Sequence, residues 1–192
     1  MKTGSWTVKH NAGFTLVEMM ITLVVVTILL SAAVPSVSTF IKNNRITSRM
    51  NSIITDLHFA RSQAVSSGAT IIICRSADPA ATSPSCGGTQ QVWTGGYLIF
   101  ADDGTHANTV YDAGTDTLLR RGQAATQEVE MHTNITWDNN LRFTYSGATD
   151  KNGSAAVMTI CDDRGTGHGR EIKVMPSGTV MTSSVTSASC VL

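Results

Sequence analysis

Lys9-His10-Asn11-Ala12-Gly13-Phe14-Thr15-Leu16-Val17-Glu18 leads into an apolar run, FTLVEMMITLVVVTILLSAAVPSVSTFI, that extends from Phe14 to Ile41 with Glu18 as its one charged residue. About 20 apolar residues, at about 1.5 Å each, cross the hydrocarbon core of a bilayer as a helix. A carboxylate near the centre of such a helix costs about 2.5–3.5 kcal/mol, and less toward its edge, so a lone acid in this run marks a function.

A secretory signal peptide places its apolar run ahead of a small-residue cleavage site. Here the order is reversed. Polar residues 1–13, with Lys2 and Lys9, precede the Gly13-Phe14 junction, and the apolar run follows it, so a cut at that junction leaves the helix in the mature chain. A plain signal anchor with an incidental Glu is the competing reading. Lys2 and Lys9 agree with a cytoplasmic N-terminus.

The hexapeptide G-F-T-L-V-E from Gly13 to Glu18 resembles the processing motif of type IV pilins and pseudopilins. The resemblance implies that a prepilin peptidase cuts between Gly13 and Phe14 and methylates the new Phe14 amine. It also implies that Glu18 meets the amine of a neighbouring subunit as the helices bundle. The chemistry is coherent. A free α-amine with a pKa of about 7.7–8.0 is largely protonated at neutral pH, and in apolar surroundings it requires an anion.

The chain has 192 residues, of which 15% are charged, and a formal net charge of zero. Removing residues 1–13 takes two lysines and no acid, which leaves 12 basic and 14 acidic residues and a net charge of −2. Broad electrostatic attraction to nucleic acid is therefore not expected.

Beyond the apolar run, Ile46, Met50, Ile53, Leu57, Ala60 and Ala64 recur every three or four residues, with Arg45, Arg49, Asp56 and Arg61 between them. This spacing predicts an amphipathic helix with one face on a domain. Gly68 is its expected stop, since glycine tolerates the left-handed conformation, and Ala69-Thr70-Ile71-Ile72-Ile73-Cys74 reads as a strand. Phe14 to Gly68 would make a helix of roughly 80 Å. Pro35 either bends this helix or ends its membrane part. Trp93–Ala101, Gln127–Ile135, Leu141–Tyr145, Ala155–Cys161 and Arg170–Met175 are further candidate strands, separated by Gly, Asp, Asn and Ser clusters. The expectation is an α+β protein whose helix, over Ile46 to Val65, lies on an antiparallel sheet or a small pair of sheets. Its organisation reads as leader 1–13, membrane or filament-core helix 14–41, amphipathic helix 42–68 and β-rich head 69–192.

The four cysteines fall naturally into Cys74 with Cys86 and Cys161 with Cys190, although four cysteines allow three connectivities and the sequence selects none. Closing the loop Arg75–Ser85 would stabilise the fold by about 3 kcal/mol in the chain-entropy model. An exported domain meets the oxidising conditions that disulfides require. No Cys-x-x-Cys is present, and no histidine stands at zinc-ligand spacing from a cysteine, so no metal is expected. His10, His58, His106, His132 and His168 are scattered, and no catalytic set emerges. Asp102-Asp103-Gly104-Thr105 lacks the alternating ligands and distal Glu of an EF-hand and reads as a turn. Gly165-Thr166-Gly167-His168-Gly169-Arg170 matches neither a phosphate loop nor a dinucleotide fingerprint, and no cofactor is expected.

Four later stretches resemble the FimT/GspH group of pilin-like proteins, namely Ile71-Ile72-Ile73-Cys74-Arg75, Gly96-Tyr97-Leu98-Ile99-Phe100-Ala101-Asp102, Ile160-Cys161-Asp162-Asp163-Arg164-Gly165, and Gly169-Arg170-Glu171-Ile172 with Ser177-Gly178. The resemblance implies a long helix, membrane-spanning in its first half, packed on an antiparallel head. It implies a non-enzymatic subunit held in the bacterial inner membrane, with a cytoplasmic leader and a periplasmic head, before it enters a pilus or pseudopilus. Its implied partners are other minor pilins, the major pilin, the prepilin peptidase and the assembly platform. The leading expectation is a minor pilin that helps to start pilus assembly, with a DNA-binding pilin and a type II secretion pseudopilin as alternatives. DNA-binding members resemble one another in a Gly-Arg-x-Arg motif. Gly178-Thr179-Val180-Met181 stands in its place without either arginine, and Arg164, Arg170 and Lys173, the remaining DNA candidates, are interleaved with Asp162, Asp163 and Glu171. Phosphate neutralisation supplies most non-specific affinity, so DNA binding is the weaker reading.

Overall fold

The computed structural model describes residues 13–103, 110–125, 128–151 and 153–185, apart from the side chains of 32–35 and 166. One helix, α1 (Leu16–Ser67), is followed by β1 (Thr70–Arg75), β2 (Tyr97–Asp102), β3 (Thr117–Gly122), β4 (Glu130–Thr133), β5 (Asn140–Phe143), β6 (Ala156–Cys161), β7 (Arg170–Val174) and β8 (Val180–Ser184). The chain divides into two compact units, Met1–Ile41 and Lys42–Leu192. In the second, the strands form two antiparallel sheets ordered β3-β2-β1-β5 and β4-β6-β7-β8. The fold is α+β, a long N-terminal helix packed on antiparallel sheets.

Periodicity explains how the helix packs. Ile46, Ile53, Leu57, Ala60 and Ala64 are buried in one core with Ile71 and Ile73 of β1, Tyr97 and Ile99 of β2, Met158 and Ile160 of β6, and Ile172 and Val174 of β7, and Met50 packs against it. One face of each sheet thus closes on the helix. The alanines at 60 and 64 let the backbone approach closely. Gly68 ends α1 at φ +69, its N–H donating to the Ala64 carbonyl at 3.1 Å. The helix runs on through Pro35, so the proline costs one intrahelical donor without ending the element.

β1 lies between β2 and β5 and is buried on both faces, which is why its apolar residues run without alternation. Ile71 and Ile73 face the helix. Ile72 and Cys74 enter a second, smaller core with Leu98 and Phe100, roofed by Cys86, Tyr111 and Leu118. Phe100 and Tyr111 meet edge to face, 5.4 Å between ring centres. Cys74 and Cys86 are joined by a disulfide, which fixes that roof to β1.

The structure departs from the sequence expectations at three places. The strand expected from Trp93 begins at Tyr97, because Trp93–Gly96 forms a turn in which Gly96, at φ +113, donates to the Trp93 carbonyl at 3.0 Å. β3 and β8 were not expected at all. β8 follows a tight hairpin in which Gly178, at φ +78, donates to the Met175 carbonyl at 2.8 Å. A Cβ at Gly178 would collide with the Gly147 carbonyl, so this hairpin and the turn after β5 require glycine to pack.

Candidate assembly site

Gly13, Phe14 and Thr15 precede α1, and Thr15 caps it. The Glu18 N–H donates to Thr15 Oγ1 at 3.2 Å and the Met19 N–H to the Thr15 carbonyl at 3.2 Å. Thr15-Leu16-Val17-Glu18 thus has the Thr-x-x-Glu order of a capping box, a signal legible in the sequence that the apolar reading overlooked. Glu18 stands in the first turn, where the positive end of the helix dipole favours a carboxylate. Among the described residues no side chain meets that carboxylate. Phe14, beside the cap, is 80% exposed.

The segment behind it is apolar on every side. Its most apolar 18 residues have a mean hydropathy of 2.4, and none of them is buried. The hydroxyls of Thr22, Thr27 and Ser31 donate to the carbonyls of Met19, Leu23 and Ile28 at 3.0, 2.7 and 2.7 Å. These side chains therefore need no outside partner, as an apolar environment demands.

In the second unit the helix is held by polar clamps that periodicity did not reveal. Lys42 pairs with Asp163 at 2.6 Å, Arg45 pairs with Glu128, and Asn43 Oδ1 accepts from Arg164 Nη1 at 2.9 Å. Further along, Asp56 accepts from the Tyr97 hydroxyl at 2.7 Å and pairs with Arg120 at 2.8 Å, while the Arg120 guanidinium lies 3.6 Å from the centre of the Phe59 ring. Burial, then the hydrogen bond to Asp56, pushes the Tyr97 phenol above its usual range.

Arg164, Arg170 and Lys173 do not form a free cationic face. Arg164 grips the Asp162 carboxylate with Nε at 2.9 Å and Nη2 at 2.6 Å. Burial pushes the Asp162 carboxyl up, but the side-chain and backbone hydrogen bonds from Arg164, with the charges of Arg164 and Lys42, outweigh it and hold the carboxyl below its usual range. Lys173 pairs with the buried Glu171 at 3.1 Å, and Arg170 Nη1 donates to the Gly169 carbonyl at 3.1 Å. Three positions apart on β7, Arg170 and Lys173 point to opposite faces. Thr179 and Met181, where the Gly-Arg-x-Arg arginines would stand, are both exposed.

Cys161 is disulfide-bonded, and Cys190 lies outside the described residues, as do His10, His106, Gly104 and Thr105. His58 and His168 are exposed, and His132 contacts Glu130 at 3.0 Å. Among the described residues one carboxylate group could approach a cation: Asp102, Asp103 and Asp116 lie within 4.8 Å of one another. Asp116 already accepts the N–H groups of Asp103 and Asp112, at 3.3 and 2.8 Å, in the manner of a turn.

A capped N-terminal helix, apolar over its first half but for Glu18 and a few back-bonded hydroxyls, that continues into an α+β head defines a pilin-like subunit. Residues 8–34 match the family model described as the prokaryotic N-terminal methylation motif, and residues 49–178 match that described as Type II transport protein GspH. The second match covers more than half of the chain, and the protein belongs to the GspH family. Two crystal structures of the Pseudomonas aeruginosa (strain PAO1) type IV minor pilin FimU share the fold. The space group P65 form gives a TM-score of 0.52 at 19% identity, covering 74% of this chain and 95% of that one. The P21 form gives 0.56 at 21%, covering 78% and 96%. No curated protein matches the sequence.

Proposed function

We propose that this protein is a minor type IV pilin that joins other minor pilins to start pilus assembly, a structural subunit without an active site. The observation that carries the reading is the Gly13-Phe14 junction placed directly before a capped helix whose apolar stretch, up to Ile41, has Glu18 as its one charged side chain, in the first turn. Cleavage there frees an amine at Phe14. In an apolar bundle that amine and a Glu18 carboxylate of an adjoining subunit turn two costly charges into one pair. On this reading 1–13 is the removed leader, 14–41 spans the inner membrane and then lines the filament core, and 42–192 forms a periplasmic head stapled at Cys74–Cys86 and at Cys161–Cys190. The prepilin peptidase and the assembly platform are the partners that the reading requires.

A pseudopilin of type II secretion is the second reading, favoured by the match of residues 49–178 to the Type II transport protein GspH family. DNA uptake is the weakest, since Arg164 and Lys173 are neutralised by Asp162 and Glu171.

The test is surface piliation after deletion of the gene, with the wild-type gene and Glu18→Ala returned in parallel. Pili should vanish, return with the wild type, and stay at least tenfold reduced with Glu18→Ala although that variant is processed and membrane-inserted. Normal piliation in the deletion strain would sink the pilus reading and make secretion the role to assay.

A further inference from the structure

Four strands edge the two sheets, and three of them are guarded. β3 carries Arg120 and Arg121 and a bulge where its register with β2 shifts between Ile99 and Phe100. β4 carries Glu130 and His132 and is bridged by Val92. β5 carries Arg142 and is bridged by Thr149. Charges, bulges and covering segments are the means by which sheet edges avoid pairing with other chains. β8, Val180-Met181-Thr182-Ser183-Ser184, has no charge and no proline, and among the described residues no strand other than β7 pairs with it.

The hairpin fixes which backbone groups are open. The Met175 N–H donates to the Thr179 carbonyl at 2.9 Å and the Val185 N–H to the Gly169 carbonyl at 3.4 Å. Bonded and non-bonded pairs alternate along an antiparallel ladder, so Met181 and Ser183, opposite Lys173 and Glu171, carry the bonds to β7. Val180, Thr182 and Ser184 therefore turn their amides and carbonyls outward.

We propose that β8 accepts an added β-strand, an extended uncharged segment from the head of a neighbouring pilin-type subunit. This inference rests on the assembly reading above. Main-chain bonds to Val180, Thr182 and Ser184 supply the affinity, and the side chains alongside supply the selectivity. Val180 packs against the main core from one face, and Met181 is 55% exposed on the other. The best complement sets apolar residues beside both. A second copy of β8 paired antiparallel about Thr182 would instead set Val180 against Ser184 and Met181 against Ser183, which leaves both apolar side chains beside hydroxyls.

The edge can be blocked without touching the ladder. The Thr182 N–H points outward, so Thr182→Pro removes a docking donor and no β7 bond, and proline is tolerated at such edge positions. Met181→Pro, which removes a ladder donor, is the fold control. A benzophenone cross-linker installed at Ser184 of the full chain, in the cells that normally make it, reads out the contact, with products identified by mass spectrometry. The expected product joins this chain to a different protein bearing the pilin processing motif. Its yield should fall at least tenfold in Thr182→Pro and hold in Thr182→Val, with wild-type levels of Cys74–Cys86-bonded protein in both. Should Thr182→Pro lower that level, Thr182→Lys blocks the edge by charge and should give the same loss. A dimer of this chain, a cross-link confined to its own residues 186–192, or a yield indifferent to both blocking variants would overturn the proposal. If gene deletion abolishes pili and Thr182→Pro restores them fully, the strand contact is refuted while the assembly reading stands. If deletion leaves pili normal, the assembly reading fails first and takes the strand contact with it.

Discussion

Residues 16–41 and 42–67 of α1 share one helical backbone and sort their side chains by opposite rules. In the first stretch, large apolar residues occupy every face, and Leu23, Val24, Ile28 and Leu29 are all at least 60% exposed. In the second, apolar residues keep to one face, and Ile46, Ile53 and Leu57 are each at most 2% exposed. A helix that buries one stripe is specified by a single partner surface. One that is apolar all round is specified by a solvent, lipid or other helices, and tolerates many neighbours. The first stretch is therefore interchangeable in its contacts and the second is not.

Truncation should break that comparison most sharply. Leu57→Ala should lower the stability of the head by about 2–5 kcal/mol, because it removes contacts from a packed core. Leu29→Ala should leave it unchanged. Thermal melts of the two full-length variants in detergent check this, and equal losses would show that the stretches are not distinct. A smaller effect sharpens the second stretch. Asp162 lies almost wholly out of solvent, and its lowered carboxyl pKa means that its contribution is present above the ordinary value of 3.8 and lost as pH falls through the lower folded value. Asp162→Asn should cost about 1–3 kcal/mol at pH 7 and flatten the acid limb of the stability profile. An unchanged acid limb would contradict the assigned clamp. The smallest effect concerns the helix start. Thr15→Ala should loosen the first turn by about 1 kcal/mol, seen as faster amide exchange at Glu18 and Met19, with no change in the melting of the head.

What was legible in the sequence was whatever repeats locally. The face from Ile46 to Ala64, the stop at Gly68 and the unalternating strand at Ile71–Cys74 follow from spacing and residue type alone. β8 was signalled by Pro176-Ser177-Gly178, proline and glycine at the right places for a tight turn, followed by Thr179-Val180-Met181-Thr182. Its lack of large apolar residues hid it, because an edge strand has little to bury. β3 was hidden differently. Arg120 and Arg121 look like loop residues, and their partners, Asp56 in the first case and the carbonyls of Pro79 and Ala81 in the second, lie about 40 residues or more away. The same distance conceals the clamps at the candidate site. Lys42 and Asp163 are 121 positions apart, and Arg164 is spent on Asp162 and Asn43 rather than on an outside anion.

The back-bonded hydroxyls of Thr22, Thr27 and Ser31 make the apolar stretch portable. A helix that must leave one oily environment for another pays no toll for these three groups, because no hydrogen bond has to be exchanged on the way. On the assembly reading proposed above, transfer would then turn almost entirely on Glu18, the one side chain of this stretch whose charge has to find a partner. A stretch of featureless grease with a single addressable group behaves as a cable with one plug.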